Sequence, residues 1–331
     1  MLKVMTLQTF GLVLGVFLVF SSNLNAQLGA ASEDFVVKIL PQFPAPFSEV
    51  RAEANSFTFD INRAQIQWIL NGKILAQGIG AKEATFTARG LGALDTLRVV
   101  VSPQEGSALE KSFEIRPSAV DLLIETNSFV PEWYKGASLL TPGGELKVVA
   151  IPHFVSQGAR LKPETLNYAW KVGGRVRGDL SGRGRQTISI KTNPIQNARI
   201  PVSVTVSSPQ ETIQSEASLA VETHTPTILF YERSPLEGVR FFSALSQKVI
   251  PAGENIEVEA VPFFMSTASM KDVKFSWKFN NQKVEADPDE PHRFIVTSSE
   301  GTKGNATLEL VVNGIKNVFE EARSSVTIYV E

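Results

Sequence analysis

The sequence predicts an all-β protein: three tandem antiparallel β-sandwich domains behind an N-terminal signal peptide. A tryptophan phrase recurs as QWILNG (67–72), YAWKVGG (168–174) and FSWKFNN (275–281), placing Trp68, Trp170 and Trp277 about a hundred residues apart. Around 141–154 (TPGGELKVVAIPHF) and 251–264 (PAGENIEVEAVPFF) the chain aligns with itself without a gap at an offset of 110. Between these landmarks run short stretches of period two broken by turn signals, with no long helical pattern.

The elements follow in order. Lys3, the apolar run Phe10–Phe20 and the polar SSNLNAQ have the order of a signal peptide, with Ala26 as its last residue. Eleven apolar residues reach about 16 Å as a helix, roughly half a bilayer core, so the run suits export rather than anchoring. No second run of membrane length follows, and the chain has no cysteine, which excludes a cysteine-linked lipid, disulfides and thiolate metal sites. The mature domains must hold by apolar burial.

Residues 27–42 read as an N-terminal linker or leading strand, 43–117 as the first unit, 118–225 as the second and 226–331 as the third. In the first unit, Phe57-Thr58-Phe59 and Ile66–Leu70 read as a strand pair, followed by Thr96–Val101 and a closing strand at Ser112–Ile115. The second continues with Ile200–Val206 and Ala217–Val221, and the third with Thr307–Val312 and Ser325–Val330. Asn71-Gly72, Pro142-Gly143-Gly144, Gly173-Gly174 and Asn313-Gly314 are turn signals. Ala108–Phe113 and Val318–Arg323 are the only stretches that read as a turn of helix. The joints Arg116–Ala119 and Thr223–Thr227 are short and contain proline, which favours a semi-stiff rod.

This strand order resembles the immunoglobulin-like fold, in which a tryptophan fills the space between two sheets. Both cysteines of antibody-type domains are missing, which leaves small residues such as Ala150 and Val204 to fill their place. Trp68-Ile69-Leu70-Asn71-Gly72 is similar to the W-x-x-N-G hairpin of bacterial immunoglobulin-like modules. The W-D-F-G-D-G run of PKD-type repeats is absent. FPAPFSEV, WILNGKILAQGIG and VDLLIETNSFVPEWYKGASL resemble a group of uncharacterised exported bacterial proteins with tandem domains of this kind. The resemblance implies a fold and an extracytoplasmic location (periplasm, cell surface or secreted) and no chemistry.

Net charge is −2, so no global basic field invites nucleic acid. Lys171, Arg175, Arg177, Arg183 and Arg185 cluster with only Asp179 opposing them, a set suited to an anionic polysaccharide or to a solvated hairpin. Arg177-Gly178-Asp179 is also the tripeptide read by animal integrins. Trp133 and Tyr134 lie beside Pro131 and suit a sugar ring, a partner protein, or a kinked first strand packing on its own domain or on the joint, and Arg240-Phe241-Phe242 occupies the matching place in the third unit. Asp287-Pro288-Asp289-Glu290 offers oxygens to a calcium ion, or is an acidic turn. Asn305-Ala306-Thr307 is a glycosylation acceptor only in a eukaryotic host. The three histidines share no motif, and no GxSxG, HExxH or P-loop pattern occurs.

The sequence therefore points to no enzyme, no cofactor and no metal. It points to a structural or adhesive rod contacting other cell-surface or envelope proteins, with a carbohydrate-binding module as the alternative.

Overall fold

The computed structural model describes residues 34–194, 198–267, 269–317 and 319–331; the expected signal peptide, 1–26, lies outside them. Three positions follow the tryptophans, and all three are two-residue turns: Asn71-Gly72, Gly173-Gly174 and Asn280-Asn281. Each residue of the three pairs has positive φ, between 47° and 81°. That is the type I′ geometry whose twist matches paired strands, and only Gly and Asn enter it cheaply. The first turn residue donates its amide to Thr96, Pro201 and Thr307 respectively, stitching the hairpin to the next strand.

In the first sandwich the strands are β1 (Val36–Leu40), β2 (Glu49–Asn55), β3 (Gln65–Leu70), β4 (Lys73–Ile79), β5 (Glu83–Thr87), β6 (Asp95–Ser102) and β7 (Leu109–Ile115). One sheet runs β1-β2-β5 and the other β4-β3-β6-β7. The second contains β8 (Ala119–Thr126), β9 (Glu145–His153), β10 (Val155–Ser156), β11 (Ala159–Arg160), β12 (Asn167–Val172), β13 (Arg175–Val176), β14 (Gly182–Arg183), β15 (Thr187–Lys191), β16 (Arg199–Ser207) and β17 (Gln214–Glu222). Its sheets run β15-β9-β8 and β13-β12-β16-β17, with β14 also on β12 and β10-β11 as a separate hairpin.

The third contains β18 (Thr227–Ser234), β19 (Gly238–Leu245), β20 (Gln247–Ile250), β21 (Asn255–Phe263), β22 (Val273–Phe279), β23 (Gln282–Val284), β24 (Arg293–Thr297), β25 (Gly304–Gly314) and β26 (Glu321–Val330). Its sheets run β19-β18-β21-β24 and β20-β26-β25-β22-β23. Pairing is antiparallel throughout except for β20 on β26. These are three tandem immunoglobulin-like sandwiches.

Each has its own interior, and each interior holds one of the three tryptophans almost fully buried. The indole N–H of Trp68 donates to the Ala81 carbonyl (2.8 Å), that of Trp170 to Arg185 (2.8 Å) and that of Trp277 to Pro291 (2.9 Å). Every acceptor lies two residues before the next strand of the opposite sheet, so each indole ties the two layers together and satisfies its own polar atom. The next carbonyl along, of Lys82, Gln186 or His292, accepts from the amide of Ala54, Ala150 or Ala260. This match puts Glu49–Ala54 in the place of Glu145–Ala150 and Asn255–Ala260, a third copy of the repeat.

Three segments differ from the sequence reading. Phe57–Phe59 is no strand: the Ser56 hydroxyl accepts from the amides of Thr58 and Phe59, and the Asp60 carboxylate accepts from Asn62, so local side-chain bonds hold a turn there. Phe57 is 90% exposed. The two stretches read as helical turns differ as well: Leu109–Phe113 lies inside β7, and Glu321–Arg323 inside β26. Asn313-Gly314 ends β25 instead of forming a two-residue turn, and the Gly314 amide donates to the Glu320 carbonyl.

Candidate functional site

The long connection between β8 and β9 brings the aromatic residues singled out in the sequence onto the third sandwich. Phe129 exchanges backbone bonds with that domain: its amide donates to Met265, and its carbonyl accepts from Phe264, both at 2.7 Å. Its ring packs against the third core. Trp133 stacks on Phe241 with ring centres 4.5 Å apart, and meets Tyr231 and Phe263 edge-on at 5.9 and 5.8 Å. Tyr134 meets Phe263 and Phe264 edge-on. Thus Trp133 and Tyr134 are brought together with Phe241 at the joint between the second and third sandwiches. Trp133 stays 39% exposed, and the adjoining Phe242 is 86% exposed. Replacing Trp133 with alanine should lower the stability of the third sandwich by roughly 1–3 kcal/mol, less than for a fully buried indole, read as a drop in its thermal midpoint.

A polar lock lies in the same joint. Glu320, 4% exposed, accepts from the Ser266 amide (2.6 Å), the Ser266 hydroxyl (2.9 Å) and, across the joint, the Thr141 hydroxyl (3.3 Å). Asn317 donates across it to the Pro142 carbonyl at 3.1 Å. Burial pushes the Glu320 carboxyl above its usual range, against the pull of the Ser266 and Thr141 donors.

The basic cluster lies along one edge of the middle sandwich, where β13 and β14 flank β12. The Arg177 guanidinium forks onto Asp179 at 2.9 and 2.7 Å, which holds that carboxyl below the usual range and closes the Arg-Gly-Asp stretch on itself. Arg175, Arg183 and Arg185 are exposed, and their side chains have no acidic partner among the described residues. The Arg185 backbone serves the core as the acceptor of the Trp170 indole. The joint aromatics and the edge arginines are separate sites. Asp287 accepts from the Asp289 amide as an acidic turn, and no group of three or more His, Asp or Glu able to hold a metal occurs among the described residues.

One charged surface was not singled out in the sequence. On the third sandwich, Glu257 meets Arg233 at 3.0 Å and Arg293 at 2.5 Å, while Glu259 meets His292 at 3.3 Å. The alternation of Glu257 and Glu259 along β21 is its only sequence signal. The bond to Glu259 raises the His292 pKa above 6.5, against burial, which lowers it. A histidine with a raised folded pKa contributes stability fully below its ordinary value and loses it as pH rises through the raised one. His292→Gln should therefore lower the denaturation midpoint of the third sandwich more at pH 6 than at pH 9.

No helix among the described residues is long and apolar enough to cross a membrane. No family model matches the chain, and no characterised protein matches it in sequence. Among solved structures it is similar to the fibronectin(III)-like modules of Clostridium thermocellum CbhA, at 12% identity over 57% of this chain and 94% of that one, with a TM-score of 0.27. It is similar to the three N-terminal domains of the bacteriophage RB49 highly immunogenic outer capsid protein, at 13% identity over 90% and 99%, with a TM-score of 0.26. It is also similar to the Bacteroides ovatus mixed-linkage glucan utilisation protein SGBP-B, solved with a heptasaccharide, at 10% identity over 91% and 71%, with a TM-score of 0.21. Scores this low carry no inference about function.

Proposed function

We propose that the chain is a non-enzymatic, exported structural and adhesive protein, a rod of immunoglobulin-like domains that contacts other cell-surface or envelope proteins. The carrying observation is the joint between the second and third sandwiches. Backbone bonds at Phe129, the Trp133 stack and the Glu320 lock support presentation of two domains in fixed relation, as a spacer or adhesive stalk requires. The apolar run at 10–20 and the absence of cysteine support an extracytoplasmic location without disulfide stabilisation. Units at 43–117, 118–225 and 226–331, with 27–42 contributing the leading strand β1 to the first, are part of this proposal.

Fractionation tests export: the protein should leave the cytoplasm with Gln27 as its first residue by mass spectrometry. Purified protein should then bind isolated envelopes saturably and lose that binding when the envelopes are treated with protease. Binding that survives protease and disappears with polysaccharide digestion would replace this reading by a second. That second reading, recognition of an anionic polysaccharide, is favoured by the exposed Arg175, Arg183 and Arg185. It requires binding to fall when all three are changed to serine.

A further inference from the structure

Each sandwich closes its first crossing in the same way. The carbonyls of Pro44, Leu140 and Ile250 accept from the amides of Ser118, His224 and Glu331 at 3.2, 2.7 and 3.2 Å. In the third sandwich the residues leading to that bond, Gln247–Ile250, form β20 and pair in parallel with Thr327–Val330 of the last strand. The Thr327 amide is also bonded to the Ser246 carbonyl. The corresponding residues of the first sandwich are Pro41-Gln42-Phe43-Pro44, facing Glu114–Pro117 at the end of β7.

Two prolines in those four residues remove ladder amides, and the segment forms no strand. β7 is the outermost strand of its sheet, as β17 is in the second sandwich, and no backbone bond from residues 41–44 reaches 112–116 among the described residues. A cleft of about 430 Å³ remains between them, closed on its far side by Glu211, Thr212 and Gln214 of the second sandwich. Phe43 and Phe113 line it, and the Nε of Arg116 is buried there without a hydrogen-bond partner. The Glu211 carboxylate has no cationic partner among the described residues.

We propose that this cleft binds an extended peptide segment of a partner protein, which adds to the outer edge of β7 as a short parallel strand. What fills the same place in the third sandwich is such a strand, and adding a strand to an open edge is an established mode of peptide recognition. The amides of Glu114 and Arg116 occupy the places of Thr327 and Tyr329, so their outward bonds are open to the incoming backbone. Phe43 and Phe113 take an apolar side chain, and Glu211 takes a neighbouring Lys or Arg. Because both sandwiches line the cleft, occupancy also braces the joint between the first two domains. The site stands whether or not the chain acts at an envelope.

The chain's own β20 supplies the probe: a fluorescent peptide of residues 245–252, LSQKVIPA, titrated into the full chain and followed by anisotropy. Saturable one-to-one binding is expected, at least about tenfold weaker for a peptide carrying Lys248→Pro, which lacks the central ladder amide. Glu114→Pro in the protein should weaken binding similarly, because the amide it removes faces outward. Glu211→Lys, whose side chain lies on an exposed turn, should repel the basic peptide and weaken binding several-fold while leaving the thermal midpoint unchanged. Absence of saturation at millimolar peptide overturns the proposal. So does binding that neither protein variant changes, since it would lie elsewhere, including at β26.

Discussion

Trp170→Ala will uncouple the middle sandwich from the rest of the chain. Its indole is fully buried between β9 and β15 on one side and β12 and β16 on the other, among Leu146, Val148, Val202 and Val204. Truncating a buried tryptophan costs about 3–5 kcal/mol, because surrounding strands relax only partly into the space left. The Arg185 carbonyl loses its donor as well, which adds a share of the cost of an unmet buried polar group. Domains of this size have a total stability of only about 5–15 kcal/mol. In scanning calorimetry a transition should therefore separate and move down by well over 10 °C, at about 4–8 °C per kcal/mol for a domain of this length. Trp68→Ala should do the same to the first sandwich and leave the other two transitions in place. A Trp170→Ala protein melting within a few degrees of the parent would show that the indole is not the plug.

Glu320→Ala should break the joint between the second and third sandwiches. It leaves the Ser266 amide, the Ser266 hydroxyl and the Thr141 hydroxyl without their acceptor in a site closed to water, at roughly 1–3 kcal/mol for each donor that finds no other partner. The midpoints of the second and third sandwiches should then both fall, while the first sandwich's transition stays in place. Glu320→Gln discriminates shape from charge. The raised carboxyl pKa means the folded state holds a proton that the unfolded state releases above about pH 4.5, the ordinary glutamate value. Stability from this group is thus greatest in acid and falls as pH rises through the raised pKa. Gln, which keeps the shape and drops the ionisation, should match the parent at low pH and exceed it at pH 8. A parent joint that strengthens with rising pH would contradict the assignment.

Much of the architecture was legible because its carriers are local. A strand alternates every two residues, an Asn-Gly, Gly-Gly or Asn-Asn pair follows it, and a large indole sits at the same phase each time. The first copy of the Glu145–Ala150 strand was harder to see. Val50 and Ala52 replace larger residues there, and the copy lies 96 residues upstream instead of 110. Phe57-Thr58-Phe59 has the right alternation, yet Ser56 and Asp60 bond their neighbours' amides and bend the chain away. Tertiary context decided Leu109–Phe113, whose composition suits a helix but whose backbone pairs with β6.

The site was legible in part. Trp133, Tyr134 and Phe241 stood out as aromatics at matching places, and the sequence left open whether they met a ligand, a partner, their own domain or the joint. Glu320 gave no signal, since its partner Thr141 is 179 residues away and a lone acid near a strand looks solvated. The cleft beside β7 was equally hidden. Only the placement of Gln247–Ile250 against the last strand of the third sandwich reveals what Pro41–Pro44 leaves open.

Whether three indoles plug three separate interiors is tested most directly by hydrogen exchange of the four indole N–H groups in 15N-tryptophan-labelled protein. Trp68, Trp170 and Trp277 should be strongly protected, with exchange that accelerates on unfolding of their own domain alone, while Trp133 exchanges rapidly from its exposed position. A second fast-exchanging indole, or three protected indoles released together at one denaturant concentration, would contradict it.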